Sequence, residues 1–381
     1  MSPSPALPLV VLLSGFWPHA TAEAARDLSA ADPRWNLLLY TSGRPGELIR
    51  TDASGVARDD RAGPDLPAAL VRDLLTVAGP GRPDLLVLLP ESCEPDQLRA
   101  AWAAHDGPHH AHLGTLITVV DAGLLLDGLS GEESLRSVGL HQRAADERGI
   151  GDVVARQIEQ ADAVVVTGRP GDDPWEAEQL RVLLRRIAPW SLHLHLDDAR
   201  LPGVARRPAR HLAPLTPPTR GLAGRAVGLH EPLPDHGVVS CVFRARRPFH
   251  PARLHHALAD LTDQVLRARG HFWLASRPDL VMSWESAGDR TFSPAGVWLD
   301  GRPDESWAEA DEQRRVAAAL DWDVYYGDRH HHLVFIGLDI DPVRIHRVLA
   351  ACLLTDDELS RGENFWRRLP DPFAPAYAFP A

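Results

Sequence analysis

Leu7-Pro8-Leu9-Val10-Val11-Leu12-Leu13-Ser14-Gly15-Phe16-Trp17-Pro18 is the stretch on which the fold turns. Residues 7–13 are almost wholly apolar, as in a strand buried on both faces of a parallel sheet. Similar short runs recur at residues 36–40, 85–89, 116–120, 163–166 and 191–196. Helical patterns lie between them, among them residues 66–77 and 152–160. Strands alternating with helices predict a doubly wound, mostly parallel α/β sheet over residues 1–200.

Outward from that sheet the composition changes. Residues 201–230 hold five arginines (Arg206, Arg207, Arg210, Arg220, Arg225), several prolines and no Asp or Glu, so 201–237 reads as a linker. From Val238 the pattern is α+β, giving a smaller second domain over 238–360 and a Pro- and Trp-containing tail over 361–381. Residues 238–243 read as a strand. Pro251 opens a helix on which Leu254, Leu258, Leu261 and Val265 share a face. Strand-like segments come next near 272–275, 280–284, 296–299 and 333–338, and Asp341-Pro342 caps and starts a further helix.

The 381 residues contain no lysine, so all 40 fixed cations are arginines. Schiff-base chemistry, a lysine general base and a lysine on a nucleotide phosphate are therefore excluded, since guanidinium is planar and stays protonated. A formal charge of −12 argues against whole-surface attraction to nucleic acid or anionic lipid. Cys93, Cys241 and Cys352 are odd in number and far apart, reading as reduced thiols in a cytoplasmic protein. The segment before residue 7 carries no Lys or Arg, and Pro8 and Pro18 interrupt the apolar segment, so no secretion signal is expected. No apolar run nears the ~20 residues of a membrane-spanning helix.

The second half resembles the C-terminal domain of the CobW-like GTP-binding, metallochaperone-type family. The residues that carry this are the runs Arg246-Arg247-Pro248-Phe249-His250-Pro251-Ala252-Arg253-Leu254 and Arg269-Gly270-His271-Phe272-Trp273-Leu274-Ala275-Ser276-Arg277-Pro278. Trp284-Glu285-Ser286-Ala287-Gly288, Gly327-Asp328-Arg329, Leu333-Val334-Phe335-Ile336-Gly337 and Leu354-Thr355-Asp356-Asp357-Glu358 continue it. The first half is similar through element order, Val119-Val120-Asp121-Ala122 and Gln157-Ile158-Glu159-Gln160-Ala161-Asp162. The resemblance implies a P-loop NTPase-like sheet domain with GTP and Mg²⁺ as ligands. The second half is most similar to an actinobacterial subgroup implicated in zinc-limited growth. That likeness implies a protein partner, a hibernation factor recruited to the ribosome.

The family's nucleotide motifs are degenerate here. Ser14-Gly15-Phe16 matches the entry to a P-loop, in which backbone N–H groups cradle phosphates beside a lysine and a Ser/Thr on Mg²⁺. Trp17-Pro18-His19-Ala20-Thr21-Ala22 then lacks the later glycines, Pro18 removes a donor, and Thr21 stands at the lysine position. The metal-linked Glu after residues 85–89 is missing, with Glu91 out of register. Thr167-Gly168-Arg169-Pro170 replaces the guanine-reading Asn-Lys-x-Asp, Asp172 and Asp173 being displaced. No cysteine falls at 53–65, where the family's Cys-x-Cys-Cys is expected. Ser14, Gly15, Thr21, Thr167 and Asp172 are thus the remnants of a nucleotide site. Phosphoryl transfer depends on positioning and charge neutralisation, so an adaptor that has lost its hydrolase chemistry is the leading expectation. A GTP-dependent zinc metallochaperone with unconventional ligands, and a nucleotide-independent histidine-based zinc protein, are the competing ones.

Among the nineteen histidines, His330 and His332 would share a strand face and could hold Zn²⁺. His193 and His195 likewise lie on one face of an expected strand. Arg206, Arg207 and Arg210 form the candidate patch for RNA or an acidic protein face. Trp273, Trp284 and Trp298 are expected in the core of the second domain, and Cys93 with Glu91 and Glu94 reads as structural.

Overall fold

The computed structural model describes residues 6–43, 47–52, 55–59, 65–142, 146–169, 173–208, 233–262, 264–300, 304–310 and 312–374. Two compact units, Met1–Ala213 and Pro214–Ala381, make up the chain. In the first, the order is β1 (Leu9–Ser14), α1 (Pro18–Ala31), β2 (Trp35–Ser42), β3 (Leu48–Asp52), β4 (Gly55–Asp59), α2 (Leu66–Val77), β5 (Asp84–Leu88) and α3 (Pro95–Ala104). Then come α4 (Gly107–His110), β6 (His112–Asp121), α5 (Leu125–Ser130), α6 (Ile150–Gln160), β7 (Ala163–Thr167), α7 (Pro174–Ile187), β8 (Leu192–His195) and α8 (Leu201–Ala205).

These strands form one sheet in the order β4-β3-β2-β5-β1-β6-β7-β8. From β2 to β8 all pairs are parallel, and the β3–β4 hairpin adds antiparallel at one edge. The apolar runs are buried on both faces as expected. Val11, Leu13, Ile117 and Val165 pack on one side with Ala24 and Leu28 of α1, while Val10, Leu12, Val87 and Leu116 pack on the other with Leu70 and Leu74 of α2. The central strand β1 lies between β5 and β6, so its carboxyl end opens at the point where strand order reverses, where open α/β sheets bind ligands.

The expected linker begins later than its composition implies. Residues 201–208 belong to the first unit: Thr115 Oγ1 donates to the Val204 and Arg207 carbonyls, and Gly114 bridges to Pro208. Arg210 lies outside the described residues.

The second unit runs β9 (Val238–Ala245), α9 (Pro251–Thr262), β10 (Val265–Phe272), β11 (Leu280–Ala287), β12 (Asp289–Val297), α10 (Asp304–Glu309), α11 (Glu312–Leu320), β13 (His331–Leu338), α12 (Pro342–Cys352), α13 (Asp356–Ser360) and α14 (Glu363–Trp366). Its five strands are antiparallel, ordered β12-β11-β10-β13-β9. Trp273, Trp284 and Trp298 are buried in it as expected. Val265 is not on α9, as its spacing predicts. The chain turns at Gln264, φ 61°, and Val265 starts β10. Asp341 caps α12 by accepting from the Val343 N–H at 2.8 Å.

Candidate functional site

Only residues 15–17 connect β1 to α1. A phosphate-cradling loop keeps its backbone N–H groups free and turned inward. Here Pro18 occupies the first helical turn and the Thr21 N–H donates to the Trp17 carbonyl at 3.0 Å, closing α1 over the positions the loop would need. The Thr21 side chain is buried, and its hydroxyl donates to the Trp17 and Pro18 carbonyls at 3.0 and 3.2 Å. It therefore faces its own helix and reaches no ligand. Gly15 is packed tightly: a Cβ there would stand 2.3 Å from Thr21 Cγ2 and 2.6 Å from the Val119 oxygen. Trp17 lies across α5, where a Cβ on Gly128 would come within 2.8 Å of its ring. Ser14 is fully buried and its hydroxyl meets Thr118 Oγ1 at 2.8 Å, which donates in turn to the Gln157 carbonyl at 2.7 Å.

The structure thus gathers Ser14, Gly15 and Thr21 around the end of β1, but as packing groups. The segment after β5 is likewise committed. Gln157 Nε2 donates to the Glu91 and Cys93 carbonyls at 2.8 and 3.0 Å, and the buried Glu94 accepts from Arg148 and Arg156 at 2.6 and 3.2 Å. Burial and the neighbouring Glu94 push the Cys93 thiol up to about 12, so it is not a thiolate ligand.

At the end of β7, Thr167 is buried with its hydroxyl on the Val120 carbonyl at 3.4 Å. Gly168 takes φ 68° and its carbonyl meets His195 Nε2 at 3.1 Å. Asp172 lies outside the described residues, while Asp173 caps α7 by accepting from the Trp175 N–H at 2.8 Å. A groove of about 740 Å³ opens beside these residues, between α7 and β8. His193 and His195, which share a strand face as expected, line it from β8. The stripe Ala177, Arg181, Arg185 of α7 lines it at i, i+4 spacing, a pattern the sequence carries without marking it as part of a groove.

Of the three candidate patch arginines, Arg206 is corrected and Arg210 lies outside the described residues. Arg206 is an internal residue: it pairs with Asp84 and, through Nε at 2.8 Å, with Asp32, and its guanidinium lies 3.7 Å over the Trp35 ring. The Arg34 and Arg206 guanidiniums hold the Asp32 carboxyl well below the ordinary carboxylate range. Arg207 is exposed.

The histidine expectation is also corrected. β13 begins at His331, leaving His330 outside the strand, and the neighbour of His330 is His271 of β10, Nε2 to Nε2 at 3.0 Å. His330 Nδ1 donates to the Asp328 carbonyl at 2.9 Å, so His271 Nε2 is the N–H donor of the pair. His332 lies opposite His271 in the ladder, with ring centroids 5.9 Å apart. Among the described residues no group of three or more His, Cys, Asp or Glu side chains converges to hold a metal ion. Burial and the surrounding histidines push His271 well below its ordinary value, and burial lowers His330. His331 is buried in the core, Nε2 on the Arg247 carbonyl at 2.7 Å and Nδ1 accepting from the Trp273 N–H at 3.4 Å. Burial lowers it to about 3.

No helix among the described residues is long and apolar enough to cross a membrane.

The cobalamin synthesis protein cobW C-terminal domain family matches residues 238–353. Over 279 residues the chain is 36% identical to the zinc chaperone Rv0106 of Mycobacterium tuberculosis strain H37Rv, a match covering 70% of this chain and 63% of that protein. It is 28% identical over 278 residues to zinc-regulated GTPase metalloprotein activator 1 of Dictyostelium discoideum, covering 69% of this chain and 56% of that one. The chain therefore spans less than two thirds of the length of these relatives. The crystal structure of Zn(II)-bound YjiA GTPase from E. coli aligns at 15% identity and a TM-score of 0.33, covering 92% of this chain and all of that one.

Proposed function

We propose, from the premise that this chain belongs to the CobW-like family, that it serves zinc homeostasis as an adaptor which does not hydrolyse nucleotide. The observation that carries the second half of this reading is the three-residue connection between β1 and α1. With Pro18 in the first turn and the Thr21 N–H bonded to Trp17, one backbone donor of a phosphate cradle is missing and another is engaged, and three residues are too few for the loop itself. Neither lysine nor a substituting arginine stands at Thr21, so position 21 supplies no charge to a transferring phosphoryl group. The names of the two relatives support the zinc connection. A protein partner in the zinc-limitation response, a ribosome hibernation factor or the ribosome itself, completes the reading.

Titration of the full chain with a fluorescent GTP analogue and Mg²⁺ tests the first claim: no saturable binding at micromolar concentration is expected, and micromolar affinity with turnover rejects it. Affinity capture from zinc-starved cells tests the second. Ribosomal particles or a hibernation factor are expected, and recovery of neither rejects the adaptor role.

A further inference from the structure

Among the described residues strand β8 is an edge of the large sheet, paired only with β7. The Leu192 N–H donates to the Asp162 carbonyl at 2.9 Å and the Leu196 N–H to the Val166 carbonyl at 3.0 Å. Even-numbered backbone groups therefore face β7, and by the two-residue period those of His193 and His195 face outward. The Asp198 N–H donates to the His195 carbonyl at 3.0 Å. Among the described residues, the N–H and carbonyl of His193 and the N–H of His195 stay open at the edge.

Alongside this edge runs the groove of about 740 Å³. Its far wall is one face of α7, in which Ala177, Leu180, Arg181, Leu184 and Arg185 recur at helical spacing. Leu180 and Leu184 are buried and form an apolar floor with Val166, while Arg181 and Arg185 are exposed at the rim. Arg169 adds a third guanidinium where β7 ends. Arg181 has Glu178 at 2.6 Å, an exposed pair of small worth. Among the described residues no carboxylate pairs with Arg169 or Arg185. The two acids that line the groove are committed elsewhere, Asp173 to the α7 cap and Asp197 to His195 at 2.8 Å. His193 Nε2 donates to the Ala188 carbonyl at 2.9 Å, which leaves Nδ1 a buried acceptor with no hydrogen-bond partner.

We propose that this groove is a docking site for an extended acidic peptide, which adds as a strand to the free edge of β8 and sets carboxylates on Arg169, Arg181 and Arg185. The dimensions favour an extended chain over a compact anion. Four residues of β8 span about 13 Å, and the α7 wall from Ala177 to Arg185 runs about 12 Å beside them. Backbone ladder bonds supply affinity in such strand addition, and side-chain pockets supply selectivity. Here the peptide residues on the α7 side would meet Leu180 and Leu184 at the floor and, through carboxylates, the guanidiniums at the rim, which recognise carboxylates bidentately. Every residue of the groove belongs to the first unit, and its Gly168–Arg169 end lies where the guanine-reading segment of the family is expected, so the GDP competition below separates peptide docking from nucleotide binding.

The test uses the full chain and a fluorescein-labelled eight-residue peptide of alternating Glu and Val, with the Lys/Val counterpart, inorganic phosphate and GDP as competitors. Anisotropy should show binding of the acidic peptide alone, weakened about tenfold or more by Arg181→Glu with Arg185→Glu. Both positions are exposed, and unchanged thermal unfolding certifies the variant. Hydrogen exchange should slow at residues 192–195 when the acidic peptide is bound. The proposal is overturned if the acidic peptide does not bind, if the charge reversal leaves its affinity intact, or if the edge amides gain no protection. Displacement by phosphate or GDP at equal concentration would assign the groove to a small anion instead.

Discussion

Lowering the pH from 7.5 to 5.0 should destabilise the second unit through its buried neutral histidines. His331 makes the case. Its Nδ1 accepts from the Trp273 N–H and its Nε2 donates to the Arg247 carbonyl, with the Phe249 ring centroid 4.0 Å away. Protonating Nδ1 would set two N–H groups against each other in an apolar enclosure, which is why the folded value falls to about 3. His271 is likewise lowered, by burial and by the histidines around it. A lowered folded value means that the unfolded chain binds more protons below its own value of about 6.5, so stability falls as pH falls through that point. His331 then removes about 1.4 kcal/mol per pH unit below that point, or about 2 kcal/mol by pH 5. That is a large share of a typical 5–15 kcal/mol, and His271 acts in the same direction. Ordinary carboxylates titrate below this window, while His330, His250 and His193, each lowered by burial, add to the slope within it. Urea unfolding at half-unit pH steps measures the slope. His331→Gln retains a donor for Arg247 and an acceptor for Trp273 without a titrating ring, and should reduce the slope by about 1.4 kcal/mol per pH unit. Stability that is flat from pH 7.5 to 5.0, or a slope that the variant leaves unchanged, would refute this account.

Ellman's reagent should label none of the three cysteines quickly in the native chain and all three in urea, because each is buried and burial pushes Cys93 and Cys241 to about 12 and Cys352 to about 11. Thr21→Lys should not create GTP affinity by fluorescence titration, since position 21 lies inside α1 with its N–H already bonded. Glu285→Ala should cost about 3–5 kcal/mol by urea unfolding, because it removes the buried carboxylate that pairs with both Arg267 and Arg269.

How far the sequence carried the fold depended on where side chains put their information. The α2 limits were legible because Asp65 and Pro67 mark the start and the apolar spacing runs through Leu74. The parallel strands were legible because both faces are buried. The β3–β4 hairpin was not, since Leu48-Ile49-Arg50-Thr51-Asp52 is mostly polar and its anchoring is tertiary. Arg50 and the Tyr40 hydroxyl both reach Asp73 of α2, at 2.9 and 2.7 Å. Gln264 hid the break between α9 and β10 for a different reason: it takes a positive φ that favours glycine, and no glycine signals it.

The site shows the same division between composition and partner. Composition revealed that Arg206 sits in an acid-free stretch, and a free patch was the natural reading. Its partners Asp32 and Asp84 lie more than a hundred residues earlier, so only the fold turns it into an internal ion pair. Substitution at the P-loop position was visible in one dimension, yet its force is geometric. Losing a lysine leaves a backbone cradle that other cations could serve. Starting α1 at Pro18 shortens the loop that would form the cradle, removes one donor and commits the Thr21 N–H to the helix, and the packing of Gly15 against Thr21 and Val119 holds that arrangement in place. Arginine bias in the chain would have allowed a cation at position 21, but no cation there would lengthen the loop, restore a donor at Pro18 or free the Thr21 N–H.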